Sequence, residues 1–283
     1  MTVPPPTKYA VELPNTRRPG QTGIYRNALQ PDSLIVTFRP DVTTLYDNFQ
    51  YALKISAERP LLGHRPLNRS TGKHDPYSWQ TYKQIAERVN NFGSGIMHLS
   101  DNVCKNPRSE QWAVGIYSYN RPGIYPNMFC LFFCANMSYN LITVALYDTL
   151  GSDVVEYVIN HAEIKIVVTG VGHIPRLIQL AHKTPEMKVI VSMDNFDDDP
   201  LAAGSVLKAW AQEKGIRLLD FAEVEKIGQL HPRNHNIPSS NDIASICYTS
   251  GTTGVPKGAI LLHANFIGSL SAAHVITNLR QDD

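Results

Sequence analysis

The chain has 283 residues, 43% hydrophobic and 18% charged, a balance that describes a folded globular protein and excludes a disordered or fibrous one. Its 26 Lys and Arg against 25 Asp and Glu leave a net charge of +1, so there is no bulk positive field to gather nucleic acid. The four cysteines, Cys104, Cys130, Cys134 and Cys247, show no C-x-x-C spacing and three sit in apolar runs; they read as free thiols of a reducing, intracellular compartment and not as a disulfide framework.

The opening MTVPPPTKYAVELP has no basic stretch followed by an apolar one, as a secretory leader would. Residues 1–40 are rich in proline and turn formers and are expected as an extended arm, with TTLYDNFQYALKISAERP as the first helix. In SWQTYKQIAERVNNFGSGIMHL, Ser78 is the expected N-cap. Tyr82, Ile85, Val89, Phe92 and Ile96 then share one stripe at helical spacing and belong to a core.

After this helix the chain alternates between strand and helix: WAVGIYS, NMFCLFFCANM, LITVALY, SDVVEYVINHAE, IKIVVTG, HIPRLIQLAHK, KVIVSM and VLKAWAQEKG. Short apolar strands alternating with helices predict an α/β fold, a layered α-β-α arrangement around a mostly parallel sheet. Ligands in such sheets gather beyond the carboxyl ends of the strands. Pro122 to Tyr147 carries no charge, but Pro126, Asn127, Asn136, Ser138 and Asn140 interrupt its apolar run. A buried helix followed by a buried strand is expected there, not a membrane span. MDNFDDDPLAAG reads as a solvated loop, since Asp197, Asp198 and Asp199 lack the alternating ligand spacing of a calcium loop.

Two nucleotide-binding patterns are approached and missed. TGVGHIPRL places Gly170 and Gly172 between a strand and a helix, with Asp194 after the next strand, but Pro175 stands where a dinucleotide fingerprint needs its third glycine. From Gly251 a phosphate-binding Walker loop would need glycine where Pro256 stands and Ser or Thr where Gly258 follows Lys257.

The stretch ICYTSGTTGVPKGAILLHANF, Ile246 to Phe266, carries the chemistry. Thr249, Ser250, Gly251, Thr252, Thr253 and Gly254 follow one strand pattern, and Pro256 and Lys257 lead into another, with HANFIGSLSAAHVI as a helix behind it. A hairpin turn needs about two such residues, and here there are six in succession. Glycine amides, hydroxyls and a lysine in one loop fit a phosphate cradle. His161, His173 and His263 are expected to be structural, and Tyr147, Asp148, Thr149 and Gly151 to form a turn and helix cap.

These residues closely resemble the signature loop of the adenylate-forming, AMP-binding superfamily, which includes acyl-CoA synthetases, luciferases and peptide-synthetase adenylation domains. Thr249 to Gly254, Pro256, Lys257 and Gly258 match its pattern, and His263 and Asn265 follow as it has them. ALYDTLGSDVVEYVINHAEIKIVV and PLLGHRPLNRSTGKHDPYSWQTYKQIAERVNNFGSG resemble its long-chain fatty acid-CoA ligase branch. NRPGIYPNM departs from it, because relatives more often carry an acidic residue and tryptophan after the proline.

The resemblance implies ATP-dependent activation of a long-chain fatty acid to acyl-adenylate and then acyl-CoA. ATP and Mg²⁺ would be cofactors and coenzyme A the co-substrate. Thr249, Ser250, Gly251, Thr252, Thr253, Gly254 and Lys257 would bind the ATP phosphates. It also implies an endoplasmic reticulum or peroxisomal periphery, or the cytoplasm, with peripheral membrane association. In such enzymes the chain continues through an adenine- and acyl-binding region, an acidic magnesium motif, a ribose-binding aspartate, a hinge and a small domain whose lysine supports adenylation. None of those motifs occurs here. Residues 41–283 are therefore expected as an incomplete N-terminal part of the adenylation domain, truncated before the remaining subdomains, without a catalytic residue and inactive alone. A non-catalytic ATP-binding fragment or pseudoenzyme, and an NAD-dependent oxidoreductase built on Gly170 and Gly172, remain as alternatives.

Overall fold

The computed structural model describes residues 8–68, 70–107, 110–118, 127–147, 153–196, 203–249 and 255–277. Strand β1, Ala10–Glu12, pairs antiparallel with β2, Tyr25–Asn27. Helix α1, Leu45–Ser56, begins in a capping box. The Thr44 hydroxyl accepts from the Asp47 amide, and the Asp47 carboxylate accepts from the Thr44 amide.

Strands β3, Pro60–His64, β4, Leu67–Asn68, β5, Lys73–His74, and β6, Ser78–Thr81, make two nested antiparallel pairs, β3 with β6 and β4 with β5. Ser78 is thus a strand residue, opposite His64, and not the expected helix cap. Thr81 caps α2, Tyr82–Leu99, because T-x-x-Q supplies a reciprocal pair. Its hydroxyl accepts from the Gln84 amide at 3.3 Å, and Gln84 Oε1 accepts from the Thr81 amide at 2.8 Å. Ile85, Val89, Phe92 and Ile96 of the expected stripe are buried.

The alternation then runs as the pattern predicts: β7, Ala113–Tyr117; α3, Asn127–Ser138; β8, Ile142–Ala145; α4, Val154–His161; β9, Ile166–Thr169; α5, Ile174–Leu180; β10, Val189–Ser192; α6, Ala203–Glu213. Two elements follow that the pattern did not reveal, β11, Arg217–Asp220, and α7, Phe221–Leu230. The chain ends its described part with β12, Ile243–Thr249, β13, Lys257–Leu262, and α8, His263–Thr277.

Seven strands form one sheet in the order β11-β10-β9-β7-β8-β12-β13. Every pairing is parallel except the last, β12 with β13. Alternation of side chains sorts the core into two layers. Ile166 and Val168 of β9 join α2, α3 and α7 on one face, whereas Val167 joins α4, α5 and α6 on the other. Met137, Ala244 and Ile267 continue the first layer under α1 and α8.

Helices α2 and α7 meet through glycine. A Cβ on Gly95 would collide with the Val224 carbonyl oxygen, and one on Gly228 with the Asn91 carbonyl oxygen. The two backbones lie closer than side chains would allow. The charge-free segment resolves into α3 and β8 over its described part, and among the described residues no helix is long and apolar enough to cross a membrane.

Candidate functional site

Strand β7 sits at the topological switch. The chain leaves it through α3 to β8 on one side, then crosses through α4 to β9 on the other. The carboxyl ends of β7, β8 and β12 therefore lie side by side, where α/β sheets bind ligands. Ser245 stands beside Thr143 and Ile246 beside Val144, which fixes the parallel register of β12 against β8 just before both strands end.

The glycine- and hydroxyl-rich loop leaves β12 at this edge and returns as β13. Thr249 pairs directly with Lys257 across the antiparallel ladder, so the expected cation stands at the hairpin's mouth, level with the first hydroxyl residue. Both are exposed, and Pro256 is buried beside the exposed Val255. Among the described residues Lys257 has no acidic partner. Ser250, Gly251, Thr252, Thr253 and Gly254 lie outside the described residues, as do Asp148, Thr149, Gly151 and the acidic run Asp197 to Asp199.

Tyr248, immediately before Thr249, is buried, and its hydroxyl lies 2.6 Å from Nδ1 of His161 at the end of α4. Burial pushes its phenol pKa up. Tyr147 is half-exposed, and its pKa is raised by partial burial and then by the neighbouring Cys247 thiol. His263 is buried, and its Nδ1 accepts from the Leu45 amide at 3.3 Å. Burial lowers its pKa against the opposing pull of Asp242 and Asp47. Asn265 Oδ1 accepts from the Leu262 amide at 2.8 Å. These contacts make His263 and Asn265 the joint between β13, α8 and α1.

The cysteines are free thiols. Burial raises Cys104 to about 11, and burial followed by the nearby Cys130 raises Cys134 to about 12, which removes them as nucleophiles at neutral pH. The dinucleotide-like turn is occupied by its own structure. Asp194 Oδ2 accepts from the Val171 amide at 2.7 Å, so the acidic residue braces the turn where a fingerprint would offer it to a ribose. A Cβ on Gly172 would meet nothing within 4 Å, so no close approach depends on that glycine. Among the described residues no group of three or more His, Cys, Asp or Glu is placed to hold a metal ion.

A family model for AMP-binding enzymes matches residues 61–283. The chain belongs to the AMP-binding enzyme family. Among its relatives, the peroxisomal acyl-CoA ligase 891 of Penicillium roqueforti (strain FM164) is 36% identical over 279 residues, covering 97% of this chain and 38% of that protein. Long-chain-fatty-acid–CoA ligase 5 of Rattus norvegicus is 34% identical over 274 residues, covering 95% and 37%. The chain thus spans little more than a third of the length of the relatives it matches. The fold is that of solved AMP-binding enzymes. The adenylation domain of a carboxylate reductase from Mycobacterium chelonae superposes with a TM-score of 0.66 at 17% identity, over 81% of this chain and 36% of that one. A fatty acyl-adenylate ligase structure from work on the E. coli and L. pneumophila enzymes gives 0.56 at 19% identity, over 86% and 35%.

Proposed function

We propose that this protein takes part in ATP-dependent activation of a long-chain fatty acid, first to acyl-adenylate and then to acyl-CoA, and that the hairpin from Thr249 to Lys257 holds the ATP phosphates. The observation that carries the proposal is the pairing of Lys257 with Thr249, which sets a cation at the mouth of a loop made of amide and hydroxyl donors. The names of the Penicillium and rat relatives, both ligases joining acids to coenzyme A, support the choice of acid and thiol. The peroxisomal label of the first supports a peroxisomal periphery for this chain, with the endoplasmic reticulum or cytoplasm as the other locations to test.

In this mechanism a fatty acid carboxylate attacks the α-phosphorus of ATP and pyrophosphate leaves; the thiol of coenzyme A then displaces AMP. An anion attacking a polyanion is repelled, so the protein must neutralise the leaving pyrophosphate and hold the reactants in line. Lys257 supplies a compact positive charge. Thr249, Ser250, Thr252 and Thr253 supply hydroxyl donors, and Gly251 and Gly254 let the backbone amides approach the phosphate oxygens. Mg²⁺ fits this chemistry as the cation that would accompany the ATP phosphates. When bound it would spread the charge of the departing pyrophosphate.

The test is acid-dependent ATP–pyrophosphate exchange by the full-length protein, with palmitate compared against acetate and against no acid. Exchange that requires palmitate supports the proposal, and exchange indifferent to the acid overturns it. A second reading is that these 283 residues by themselves bind ATP weakly without turning it over; in this chain taken alone Lys257, Gly258, Ala259 and Ile260 are exposed. A site without walls cannot exclude water from the reacting groups. Palmitate-dependent AMP release from the isolated chain would remove this reading.

A further inference from the structure

We propose that His161 and Tyr248 form a positioning pair that fixes the root of the phosphate hairpin and thereby sets how tightly it holds ATP. This inference rests on the ATP reading above and adds to it two residues outside the glycine- and hydroxyl-rich loop. Tyr248 is the residue before Thr249, and side-chain alternation turns its ring to the α4 face of the sheet while Thr249 turns the other way. The Tyr248 hydroxyl lies 2.6 Å from His161 Nδ1. The imidazole is itself held by stacking on Tyr157, with centroids 5.1 Å apart and planes 17° from parallel. Tyr157 and His161 both stand edge-on to the Tyr248 ring, at 88° and 84°.

The partner strand is shaped to the same ring. Gly258 pairs with Tyr248 across the ladder. A Cβ there would come within 2.9 Å of Ile246 Cγ2 and 3.4 Å of Tyr248 Cζ. The glycine after Lys257 therefore leaves Tyr248 and Ile246 the space they occupy, and the ring clamps both sides of the hairpin at its base.

A phenylalanine would fill the same apolar volume, so burial alone does not call for the hydroxyl. What the hydroxyl adds is a fixed lateral position for β12 relative to α4, the helix that follows the neighbouring strand β8. A cradle of amides and hydroxyls grips phosphate only when its donors are held to within about 0.5 Å. A tether one residue before the cradle is where such placement is set. Neither side chain touches the nucleotide in this arrangement; they act through the backbone of Thr249 and Lys257.

The experiment compares Tyr248→Phe, His161→Ala, their double variant and His161→Asn in the full-length protein. Each is measured for kcat, KM for ATP, KM for palmitate and Tm. Loss of one neutral hydrogen bond should raise KM for ATP about three- to tenfold in either single variant, with kcat and KM for palmitate nearly unchanged. The double variant should be no worse than the singles. His161→Asn sets an amide atom where Nδ1 stands, so it should restore KM for ATP. A fall in Tm with KM for ATP unchanged would overturn the proposal, as would additive effects or failed rescue by asparagine. Lys257→Ala separates the two claims. If it weakens ATP binding while Tyr248→Phe does not, only the pair fails; if it leaves KM for ATP unchanged, the phosphate assignment of the hairpin fails.

Discussion

His98 and His231 stack face to face where α2 and α7 end, with ring centroids 4.1 Å apart and planes 18° from parallel. Partial burial lowers the pKa of His98, and His231, Arg233 and Arg217 lower it further against the pull of Asp101. Burial also lowers His235 and His263. Their unfolded forms titrate near 6.5 and bind protons more readily than the folded ones, so stability is full above that pH and is lost as pH falls through the lowered folded values. Tm should therefore drop between pH 7.5 and pH 5.5. His98→Phe, which keeps a ring in the stack without a titrating group, should flatten part of that slope. A slope identical to the parent's would show that His98 contributes nothing to it.

Lys257→Ala removes the cation facing Thr249. A charge-assisted hydrogen bond is worth roughly 1.5–3 kcal/mol, so adenylation should slow by about one to two orders of magnitude. ATP–pyrophosphate exchange in the full-length protein reads this directly, and a rate within twofold of the parent would contradict the role given to Lys257.

Gly228→Ala forces a methyl group into the Asn91 carbonyl oxygen, a backbone atom that cannot swing aside. The α2–α7 seam must open, at a cost of about 3 kcal/mol or more. Urea unfolding should show a much lower midpoint, or the variant should fail to accumulate as folded protein. Gly172→Ala, with nothing within 4 Å of its added carbon, is the matched control and should leave the midpoint close to the parent's.

Thr81→Ala should cost about 1 kcal/mol through loss of the α2 cap, and Ser78→Ala much less, because Ser78 is an exposed strand residue. Equal costs in chemical denaturation would mean that the Thr81–Gln84 reciprocal pair is not what starts the helix.

Much of the architecture was legible because the strands of a buried parallel sheet advertise themselves as short apolar runs, as IVVT of β9 and VIVS of β10 do. Helix starts were less legible. Ser78 is a residue type common at caps, yet the decisive signal is the spacing of Thr81 and Gln84, which satisfies two amides at once. The same signal at Asp220 and Glu223 marks α7, and β11 before it is obscure because its four residues RLLD are too few to show a period. At the candidate site, the placement of Lys257 at the start of a strand after the glycine-rich loop is legible from the strand patterns on either side. The tie between His161 and Tyr248 is not, since the two are 87 positions apart and only the crossover topology brings α4 behind β12. Residue types that are neighbours in sequence are visible in sequence; contacts assembled across a sheet are not.

The reversal of direction at β13 has a mechanical meaning. The six strands from β11 to β12 run parallel as one slab, while among the described residues β13 is bonded to that slab through β12. Under the proposed phosphate role, a load placed on the hairpin by a polyanion would reach that slab through the β12–β13 ladder. On the proposed phosphate role, strain at the hairpin would be taken up first by the β12–β13 ladder and only then by the parallel strands behind it.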